Sequence, residues 1–311
     1  MRAFMVPEFG APGSVGDRPK PEPAEGEVLV RVRAAGVNAM DPVYRAGWFK
    51  DYMEHRLPLT PGIDYAGTVE AVGPGVDNPS VGDEVFGVVG KPYAGEGSFA
   101  EYVTVAAALA NRRPDALPVE QAAALTQAGT TALSVVDALG ASAGDTVAVI
   151  GAGGGVGAFV VQLAAQRGLR VIAVTHGDQA DNARALGAAE VIDYTVGDIA
   201  DQLRALAPDG LAAVADLFHD AAGAASLAGL VRPGGAIASP KAQGLDAALA
   251  EGPVAGRVVH AAPQRAGELA ELVVAGRLTV ELETLPLDRA AEALDRQASQ
   301  GVHGKLVLLV D

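Results

Sequence analysis

Two patterns of hydrophobic and polar positions divide the chain near residue 117. Before it, short apolar or alternating runs are separated by proline and glycine, and Glu27–Arg33 alternates as a half-buried strand does. After it, apolar runs of strand length alternate with segments of helical period. The first pattern predicts a small β-barrel-like domain. The second predicts a parallel sheet covered by helices, so the chain as a whole is expected to have an α/β fold.

The N-terminal pattern predicts five strands and one short helix. The strands are Ala3–Met5, Glu27–Ala34, Tyr65–Val72, Glu84–Val89 and Ser98–Val105, and the helix is Asp41–Ala46. Beyond residue 284, the pattern predicts a helix over Pro286–Gln300 and a strand over Lys305–Val310.

The middle of the chain predicts six strands, most of them joined by helices. The strands are Thr146–Ile150, Arg170–Val174, Glu190–Ile192, Ala212–Leu217, Ala236–Ser239 and Arg257–His260. The helices are Val119–Leu125, Gly129–Leu139, Ala158–Arg167, Gln179–Leu186, Ile199–Leu206, Ala221–Leu230 and Arg265–Ala275. Such alternation is typical of a doubly wound parallel sheet with right-handed connections.

The first strand of this sheet leads into a glycine turn. Its residues are Gly151, Ala152, Gly153, Gly154, Gly155, Val156 and Gly157, and a helix and a second strand follow. A strict G-x-G-x-x-G does not fit, whereas A-x-G-x-x-G and G-x-x-G-x-x-G do. Glycines at this position in a βαβ unit predict a dinucleotide site, in which bare backbone and a helix N-terminus receive the pyrophosphate. A glycine-rich turn without a ligand is the alternative.

Composition narrows the functional classes. The 311 residues suggest about two domains, and 50% of them are hydrophobic. The net charge of −15 disfavours nucleic acid and anionic membrane surfaces as partners. The absence of cysteine excludes disulfides, thiolate metal sites and a cysteine nucleophile. Because there is no signal-peptide core and no run of about 18 apolar residues, we expect a cytoplasmic protein.

Several short motifs occur in a characteristic order along nearly the whole chain. They are Glu27–Asn38, Pro61–Val69, Val81–Val85, Gly97–Tyr102, Gly129–Leu133, Leu186–Ala188 with Val191–Tyr194, Val231–Gly235 and Gly304–Leu308. Each is weak alone. Together they resemble the medium-chain dehydrogenase/reductase superfamily, and its zinc-free quinone oxidoreductase-like branch in particular.

The resemblance implies two domains with a cofactor between them. A GroES-like catalytic domain would span residues 1–117 and be completed by residues 285–311, and a Rossmann dinucleotide-binding domain would span residues 118–284. NAD(P)H would lie in the cleft. The resemblance also implies a homodimer formed through an edge strand, for which Arg257–His260 is the candidate. An exposed apolar edge needs covering in any case.

The metal ligands of zinc-dependent relatives are missing here. Those relatives carry a cysteine near Asn38 and a His-Glu pair near Ile63-Asp64, and their cysteine-rich structural lobe is absent too. The five histidines show no paired spacing, although His55, Asp41 and Asp64 could meet in space. We therefore expect no metal, and an acceptor that takes hydride without a Lewis acid.

The end of the second Rossmann strand bears on the choice of cofactor. NAD-selective sites place an acid there to hold the ribose 2′-hydroxyl, and this chain has Thr175. Thr175 and His176, with Arg184 on the next helix, favour NADP(H) over NAD(H), whereas Asp178 would repel a 2′-phosphate. A solvated loop histidine is the alternative for His176.

Hydride transfer requires a hydrogen-bond donor for the acceptor oxygen and a pocket that excludes water. By resemblance, Asn38 lies at the floor of the cleft, Tyr44 points into it as a proton source, and Thr126 faces the nicotinamide. The alternatives are an Asx-turn that caps the next helix for Asn38, amphipathic packing for Tyr44, and a helix N-cap for Thr126.

Further candidates lie around this centre. Trp48, Phe49 and Tyr52 form an aromatic cluster suited to a flat acceptor, although such clusters are more often core or rim. Gln127 follows Thr126 and belongs to the same implied pocket.

Cofactor contacts are implied at Phe218, after the fourth Rossmann strand, at Ser239, which ends the fifth, and at Lys305, which otherwise merely starts a strand. His219 either donates to the cofactor or caps a loop. Asp216 and Asp220 are expected to be structural.

These features predict a zinc-independent, NADPH-dependent oxidoreductase that transfers hydride to a small electrophilic acceptor, either a quinone or an α,β-unsaturated carbonyl. An enoyl thioester is a variant of this substrate, which the lack of a basic rim disfavours. The alternatives are a nucleotide-binding structural or regulatory protein with little turnover, and a zinc-dependent dehydrogenase.

Overall fold

The computed structural model describes residues 1–299 and 302–310. Its strands are β1 (Arg2–Met5), β2 (Ser14–Asp17), β3 (Glu27–Val37), β4 (His55–Thr60), β5 (Asp64–Val72), β6 (Glu84–Val88), β7 (Ala94–Glu96), β8 (Tyr102–Ala106), β9 (Ala110–Arg112), β10 (Thr146–Ile150), β11 (Arg170–Thr175), β12 (Glu190–Asp193), β13 (Leu211–Asp216), β14 (Val231–Ser239), β15 (Ala255–Val258), β16 (Leu282–Pro286) and β17 (Lys305–Leu309).

The α-helices connect and cover these strands. They are α1 (Met40–Arg45), α2 (Val119–Leu139), α3 (Gly155–Gln166), α4 (Ala180–Ala185), α5 (Ile199–Leu206), α6 (Ala221–Ser226), α7 (Leu245–Ala248), α8 (Ala266–Val274) and α9 (Ala290–Ala298). Short 3₁₀ turns lie at Ala107–Leu109, Gly177–Gln179, Leu227–Leu230, Pro263–Arg265 and Leu287–Arg289.

The chain forms two compact units. The first comprises Met1–Gln127 and the residues from Pro263 onward, and the second comprises Ala128–Ala262. These bounds differ from the predicted divisions at 117/118 and 284/285. The segment from Pro263 joins the first unit because α8 packs against β9, next to a hydrogen bond from Asn111 Nδ2 to the Pro263 carbonyl (3.4 Å).

The first unit is built on a sheet with the strand order β16-β17-β3-β5-β6-β9, and β8 also pairs with β3. The alternation predicted over Glu27–Arg33 is present only from Val30 to Arg33, because Val28, Leu29 and Val30 are all buried. The last four residues of β3 are all buried as well. This second buried stretch occurs where β17 pairs with β3 in antiparallel register, with Leu306 opposite Val37. The largest buried side chains of this core include Tyr65, Phe4 and Phe99.

The second unit is a six-stranded sheet in the order β12-β11-β10-β13-β14-β15. Every neighbouring pair in it is parallel, which confirms the predicted doubly wound Rossmann sheet. The side chains of β10, β11 and β13 are almost entirely buried, as expected for strands with helices on both faces. The carboxyl ends of β10, β11, β13 and β14 therefore meet at one edge of the sheet.

Helix α2 corrects one prediction. The sequence pattern predicts two helices separated by residues 126–128, whereas the structure has one continuous helix over Val119–Leu139. No proline interrupts this stretch, and Gly129 weakens a helix interior by only about 1 kcal/mol relative to alanine. Thr126 consequently lies in the middle of a helix, so the alternative of a helix N-cap for Thr126 is wrong.

The C-terminal residues also depart from the pattern. The helix predicted over Pro286–Gln300 begins only at Ala290, because Pro286 ends the unpredicted strand β16, which pairs in parallel with β17. Gln300 lies outside the described residues. In the N-terminal region the strand predicted over Ser98–Val105 begins only at Tyr102. The Ser98 hydroxyl instead donates to the Asp64 carbonyl at 2.6 Å.

Strand β15 lies at the edge of the second sheet, next to β14. It covers Ala255–Val258 rather than the predicted Arg257–His260. The Arg257 guanidinium turns back onto its own unit and donates to the Ala138 carbonyl at 2.5 Å. The homodimer remains a prediction. Within residues 1–299 and 302–310, no helix is both long enough and apolar enough to cross a membrane.

Candidate active site

Four polar residues are buried together in the first unit: Asn38, Asp41, Asp64 and Lys305, here called the Asn38 cluster. Asn38 follows β3, Asp41 lies in α1, Asp64 begins β5, and Lys305 begins β17. Their exposed fractions are 7% for Asn38, 0% for both aspartates and 4% for Lys305. The long β3 strand and its two neighbours β5 and β17 thus bring together residues that are far apart in sequence.

The Asn38 carboxamide is held at both ends. Its Nδ2 donates to Asp64 Oδ2 at 3.0 Å and to the Gly36 carbonyl at 3.4 Å, and its Oδ1 accepts from Lys305 Nζ at 2.6 Å. Both amide hydrogens are therefore engaged within the protein. Because only a lone pair on Oδ1 remains, Asn38 in this arrangement can accept a hydrogen bond from a ligand but not donate one.

The hydrogen bond at the start of α1 runs in the opposite direction from the alternative considered for Asn38, and the N-cap residue Ala39 has no side-chain cap. The Asn38 side chain does not cap the helix. Instead, Asp41 Oδ2 accepts from the Asn38 backbone N–H at 2.7 Å, and Asp41 Oδ1 accepts from the Gly62 N–H at 3.1 Å. The Asx-turn alternative is therefore wrong. The sequence signal that identifies Asp41 is an acidic residue in the first helical turn, three residues after Asn38, from where a carboxylate can reach back to a preceding backbone N–H.

Lys305 ties β17 to this cluster. Its Nζ donates to the Val37 carbonyl at 2.8 Å as well as to Asn38 Oδ1. The β3–β17 register places it there, because Leu306 lies opposite Val37. Lys305 is therefore more than a strand start. Its contact with a cofactor remains a prediction, and in this structure its ammonium is directed at the first unit's own polar groups.

Burial dominates the electrostatics of the Asn38 cluster. It raises the pKa of Asp41 to about 7, against hydrogen bonds from the Asn38 and Gly62 N–H groups and the attraction of Lys305. It raises the pKa of Asp64 to about 6, with Lys305 as the strongest opposing influence. Burial also lowers the pKa of Lys305, against the attraction of Asp64 and Asp41. The cluster thus combines two acids that titrate near neutrality with one cation.

Tyr44 lies on α1, three residues after Asp41. It is half-buried against the core of the first unit, with its ring centroid 6.2 Å from that of His55 and 6.1 Å from that of Phe49. The amphipathic packing considered for Tyr44 is therefore present. Its hydroxyl makes no hydrogen bond to any described residue. Burial, and then the nearby Asp41, raise the pKa of Tyr44, so the hydroxyl keeps its proton at neutral pH.

Of the remaining candidates of the first unit, Trp48 and Tyr52 are exposed at the surface, whereas Thr126 and Gln127 lie in α2. Trp48 and Tyr52 are 77% and 85% exposed, so they belong to the surface and not to the core. Thr126 is buried inside α2. The Gln127 backbone N–H donates to both Asp64 carboxylate oxygens, at 3.1 and 3.3 Å, and so links α2 to the Asn38 cluster.

The glycine turn of the second unit fits a pyrophosphate. Gly151 has a φ of +82°, which favours glycine, and a Cβ on Gly157 would lie 2.2 Å from the Gly151 carbonyl oxygen. A Cβ on Gly153 would lie 2.5 Å from Thr175 Oγ1. Because α3 begins at Gly155, the first N–H groups of this helix have no partner within it. Closely packed bare backbone and free N–H groups are what a dinucleotide phosphate requires.

The end of β11 presents His176 rather than Thr175. Thr175 is only 4% exposed, whereas the His176 side chain is 48% exposed and its Nδ1 lies 2.8 Å from Asp178 Oδ1. Arg184 forms an ion pair with Asp181 at 3.0 Å, within its own helix α4. The structure therefore brings His176 and Asp178 together and directs Arg184 elsewhere.

Two loops follow the fourth and fifth strands of this sheet. Phe218 is 50% exposed after β13, and Ser239 is buried at the end of β14, where its Oγ accepts from the Lys241 and Ala242 N–H groups, each at 3.1 Å. Asp220 caps α6 by accepting from the Gly223 N–H at 2.9 Å, which confirms its structural role. Sequence reasoning missed Lys241, whose Nζ donates to the Phe218 carbonyl at 2.6 Å.

Comparison with known protein families identifies two domain types. Residues 24–115 match the alcohol dehydrogenase GroES-like domain, and residues 186–308 match the zinc-binding dehydrogenase domain. An alcohol dehydrogenase of Geobacillus stearothermophilus is 30% identical over the whole of both chains. The quinone oxidoreductase of Sus scrofa is 36% identical over 62% of this chain and 59% of its own length.

Solved structures extend the similarity to the full fold. The quinone oxidoreductase from Coxiella burnetii superposes with a TM-score of 0.90 at 29% identity, covering 100% of this chain and 99% of its own. The mycobacterial protein Rv1454c, solved in complex with NADPH, superposes with a TM-score of 0.85 at 32% identity, covering 99% of each chain.

The zinc implied by one of these domain types does not fit the residues present. In the part of the chain that the structure describes, no group of three or more histidines, aspartates or glutamates could hold a metal ion, and the sequence contains no cysteine. The buried carboxylates of Asp41 and Asp64 already accept from backbone N–H groups, and the cation beside them is the Lys305 ammonium.

Proposed function

The chain belongs to the medium-chain dehydrogenase/reductase superfamily and is an oxidoreductase, and we propose that it uses NADPH to reduce a quinone or an α,β-unsaturated carbonyl without zinc. The observation that carries this proposal is the Asn38 cluster. Two of its members, Asn38 and Asp64, stand where the resemblance implies that zinc-dependent relatives carry metal ligands, and Lys305 supplies a positive charge inside the protein.

The choice of acceptor follows from this chemistry. Interconversion of a simple alcohol and ketone builds charge on one oxygen, which a Lewis acid stabilises strongly. A quinone or a conjugated carbonyl spreads that charge over several atoms, so that a hydrogen-bond donor and a dry pocket are sufficient. The names of the quinone oxidoreductases from Sus scrofa and Coxiella burnetii support this class of acceptor.

NADPH is the cofactor that the second unit favours. When bound, it supplies the hydride. The glycine turn and the first N–H groups of α3 would hold its pyrophosphate, and no acid stands at position 175 to select the 2′-hydroxyl of NADH. Asp178, which opposes a 2′-phosphate, lies against His176. The NADPH complex of the mycobacterial relative supports the same choice.

Tyr44 is the proposed hydrogen-bond donor and proton source for the reduced acceptor. Asn38 has no free amide hydrogen for this task, because Asp64 and the Gly36 carbonyl accept both. The Tyr44 hydroxyl has no partner among the described residues, and its raised pKa keeps it protonated at neutral pH.

The experiment is a turnover assay that follows NADPH oxidation with a panel of quinones, enones, enals and simple ketones, with and without a chelator. We expect turnover of quinones or conjugated carbonyls only, with no effect of the chelator. Tight binding of NADPH with no turnover of any acceptor would indicate a nucleotide-binding protein instead. Alcohol oxidation that the chelator abolishes would indicate a zinc-dependent dehydrogenase.

A further inference from the structure

The loop after β13 carries a histidine that a buried carboxylate orients. We propose that His219 binds the nicotinamide-side ribose of the dinucleotide through Nε2, and that Asp216 is the residue that positions it. The proposal rests on the proposed function, since it concerns how the same cofactor is held.

Asp216 is a fully buried acceptor at the end of β13. Its Oδ1 accepts from the Phe218 N–H at 3.0 Å and from the His219 N–H at 3.2 Å. His219 Nδ1 lies 3.2 Å from Oδ1 and 3.1 Å from Oδ2 of the same carboxylate, whose side chain is 0% exposed. One carboxylate therefore fixes both the loop backbone and the imidazole ring.

This arrangement determines which ring nitrogen is available. A carboxylate only accepts hydrogen bonds, so Nδ1 carries the proton that bonds Asp216. Nε2 is left on the opposite side of a ring that is 32% exposed. An oriented imidazole with one nitrogen occupied and the other free is the arrangement by which proteins direct a histidine at a ligand.

The protein's own contacts hold the loop in place. Lys241, which follows β14, donates through Nζ to the Phe218 carbonyl at 2.6 Å and so joins the loops of two neighbouring strands. The His219 ring lies 5.1 Å from the Phe218 ring, edge to face. Gly223 leaves room for it, because a Cβ there would lie 2.9 Å from His219 Cβ. A ring fixed in advance loses little entropy on binding a ligand.

The loop also borders the glycine turn. Ile150 pairs with Asp216 in the β10–β13 register, and Leu217 N–H donates to the Ile150 carbonyl at 3.2 Å. Gly151 begins the glycine turn, and a Cβ on it would lie 3.6 Å from Leu217 Cβ. A dinucleotide whose pyrophosphate occupies the glycine turn therefore passes beside residues 217–219.

The strand order indicates which half of the cofactor lies next to His219. The adenosine ribose lies at the end of the second strand, here β11 with His176. β13 lies on the other side of β10 from β11. A cofactor that crosses the carboxyl edge from β11 over β10 reaches β13 with its nicotinamide half, whose ribose hydroxyls can bond an imidazole nitrogen.

If His219 had only a structural role, only its Nδ1 would make a hydrogen bond, the one that holds the loop to Asp216. Asparagine and glutamine separate the two roles, because an asparagine amide imitates Nδ1 and a glutamine amide imitates Nε2. The experiment therefore measures dissociation constants of NADPH, NADH and 2′,5′-ADP for the wild-type protein and for His219→Ala, His219→Asn and His219→Gln by calorimetry, with a melting temperature for each variant.

We expect His219→Ala and His219→Asn to bind NADPH and NADH about tenfold more weakly than the wild type, and His219→Gln to remain within about threefold. Binding of 2′,5′-ADP, which has no nicotinamide half, should be the same in all four proteins. Asp216→Asn should weaken NADPH binding in the wild-type background and add nothing in the His219→Ala background, because Asp216 acts through the ring.

Equal NADPH affinity in the wild type and His219→Ala would overturn the proposal. The proposal would also be overturned if His219→Asn kept the NADPH affinity of the wild type and His219→Gln lost it, because that is the pattern expected of a loop cap. An equal loss of 2′,5′-ADP binding in the variants would overturn it as well. A wild-type protein that binds neither NADPH nor NADH would refute the proposed function as well. Turnover by the wild type with unchanged binding in His219→Ala would refute this inference alone.

Discussion

Replacing Lys305 with methionine tests the role of the Asn38 cluster, because it removes the buried ammonium and keeps most of the side-chain volume. Two hydrogen bonds are lost, to Asn38 Oδ1 at 2.6 Å and to the Val37 carbonyl at 2.8 Å. Asp64 and Asp41, both fully buried, then lose the cation that opposes the rise of their pKa values.

The expected loss in the free energy of unfolding follows from the charges of the cluster. Removing one partner of a buried ion pair destabilises a protein by about 3–5 kcal/mol. At about pH 8 Asp64 and Asp41 are mostly ionised, because their pKa values are about 6 and about 7, so the full loss is expected there. At about pH 5 both are protonated and the ammonium has no counter-charge even in the wild type. The loss should then fall to about 2 kcal/mol, that of two hydrogen bonds at about 1 kcal/mol each.

The sign of the pH dependence is fixed by linkage. A carboxyl whose pKa is higher in the folded than in the unfolded state binds extra protons when folded, so stability decreases as the pH rises from about 4 toward the folded value. Without Lys305 the pKa of Asp64 rises further. Each additional unit removes about 1.4 kcal/mol of stability at alkaline pH. The variant should therefore lose stability more steeply than the wild type between about pH 5 and pH 8.

The assay is urea unfolding followed by far-ultraviolet circular dichroism at both pH values. Lys20→Met is the matched control, because Lys20 pairs with Glu70 at 2.8 Å but is 41% exposed. It should change the free energy of unfolding by less than about 1 kcal/mol at either pH. A Lys305→Met loss below about 1 kcal/mol at pH 8, or an equal loss at both pH values, would refute the reasoning.

Three further predictions concern binding and turnover. Gly157→Ala places a Cβ 2.2 Å from the Gly151 carbonyl oxygen and should lower the melting temperature, and it should lower NADPH affinity at least about tenfold. Gly154→Ala is the control, because the atom nearest to its added Cβ is 3.6 Å away, and it should leave the melting temperature unchanged. Tyr44→Phe should reduce kcat at least about tenfold with unchanged stability in urea, and an unchanged kcat would remove Tyr44 from the mechanism. Asp178→Asn should raise the preference for NADPH over NADH up to about fivefold, as measured by the two dissociation constants, and a lowered preference would contradict the assignment of this loop.

The sequence predicts the second unit well because its strands are buried on both faces. Thr146–Ile150 and Ile199–Leu206 have the predicted bounds, since an uninterrupted apolar run and a capped amphipathic segment are both local signals. The alternation of strands and helices predicts the parallel sheet and its right-handed crossovers, whereas the order of the strands comes from the structure alone.

The Asn38 cluster shows why the hydrogen bonds of the candidate site could not be predicted from the sequence. Its members come from four separate elements, and the sequence contains no signal that Lys305 pairs with Asn38 across most of the chain. Whether Asn38 donates or accepts depends on that partner. Likewise the His219 ring is defined by Asp216 three residues earlier, but a D-x-x-H spacing does not tell a dyad from two surface residues.

The β3–β17 pairing has a consequence for the order in which the polypeptide can assume its structure during synthesis. The second unit is contiguous, Ala128–Ala262, so its sheet can close as soon as its own residues have left the ribosome. The first unit begins earlier but finishes later, because the cation that balances its buried carboxyls is translated 267 residues after Asn38. Until then Asp41 and Asp64 gain by remaining hydrated. We infer that the first unit stays open through most of translation, while the second unit, the part with the glycine turn, is already folded.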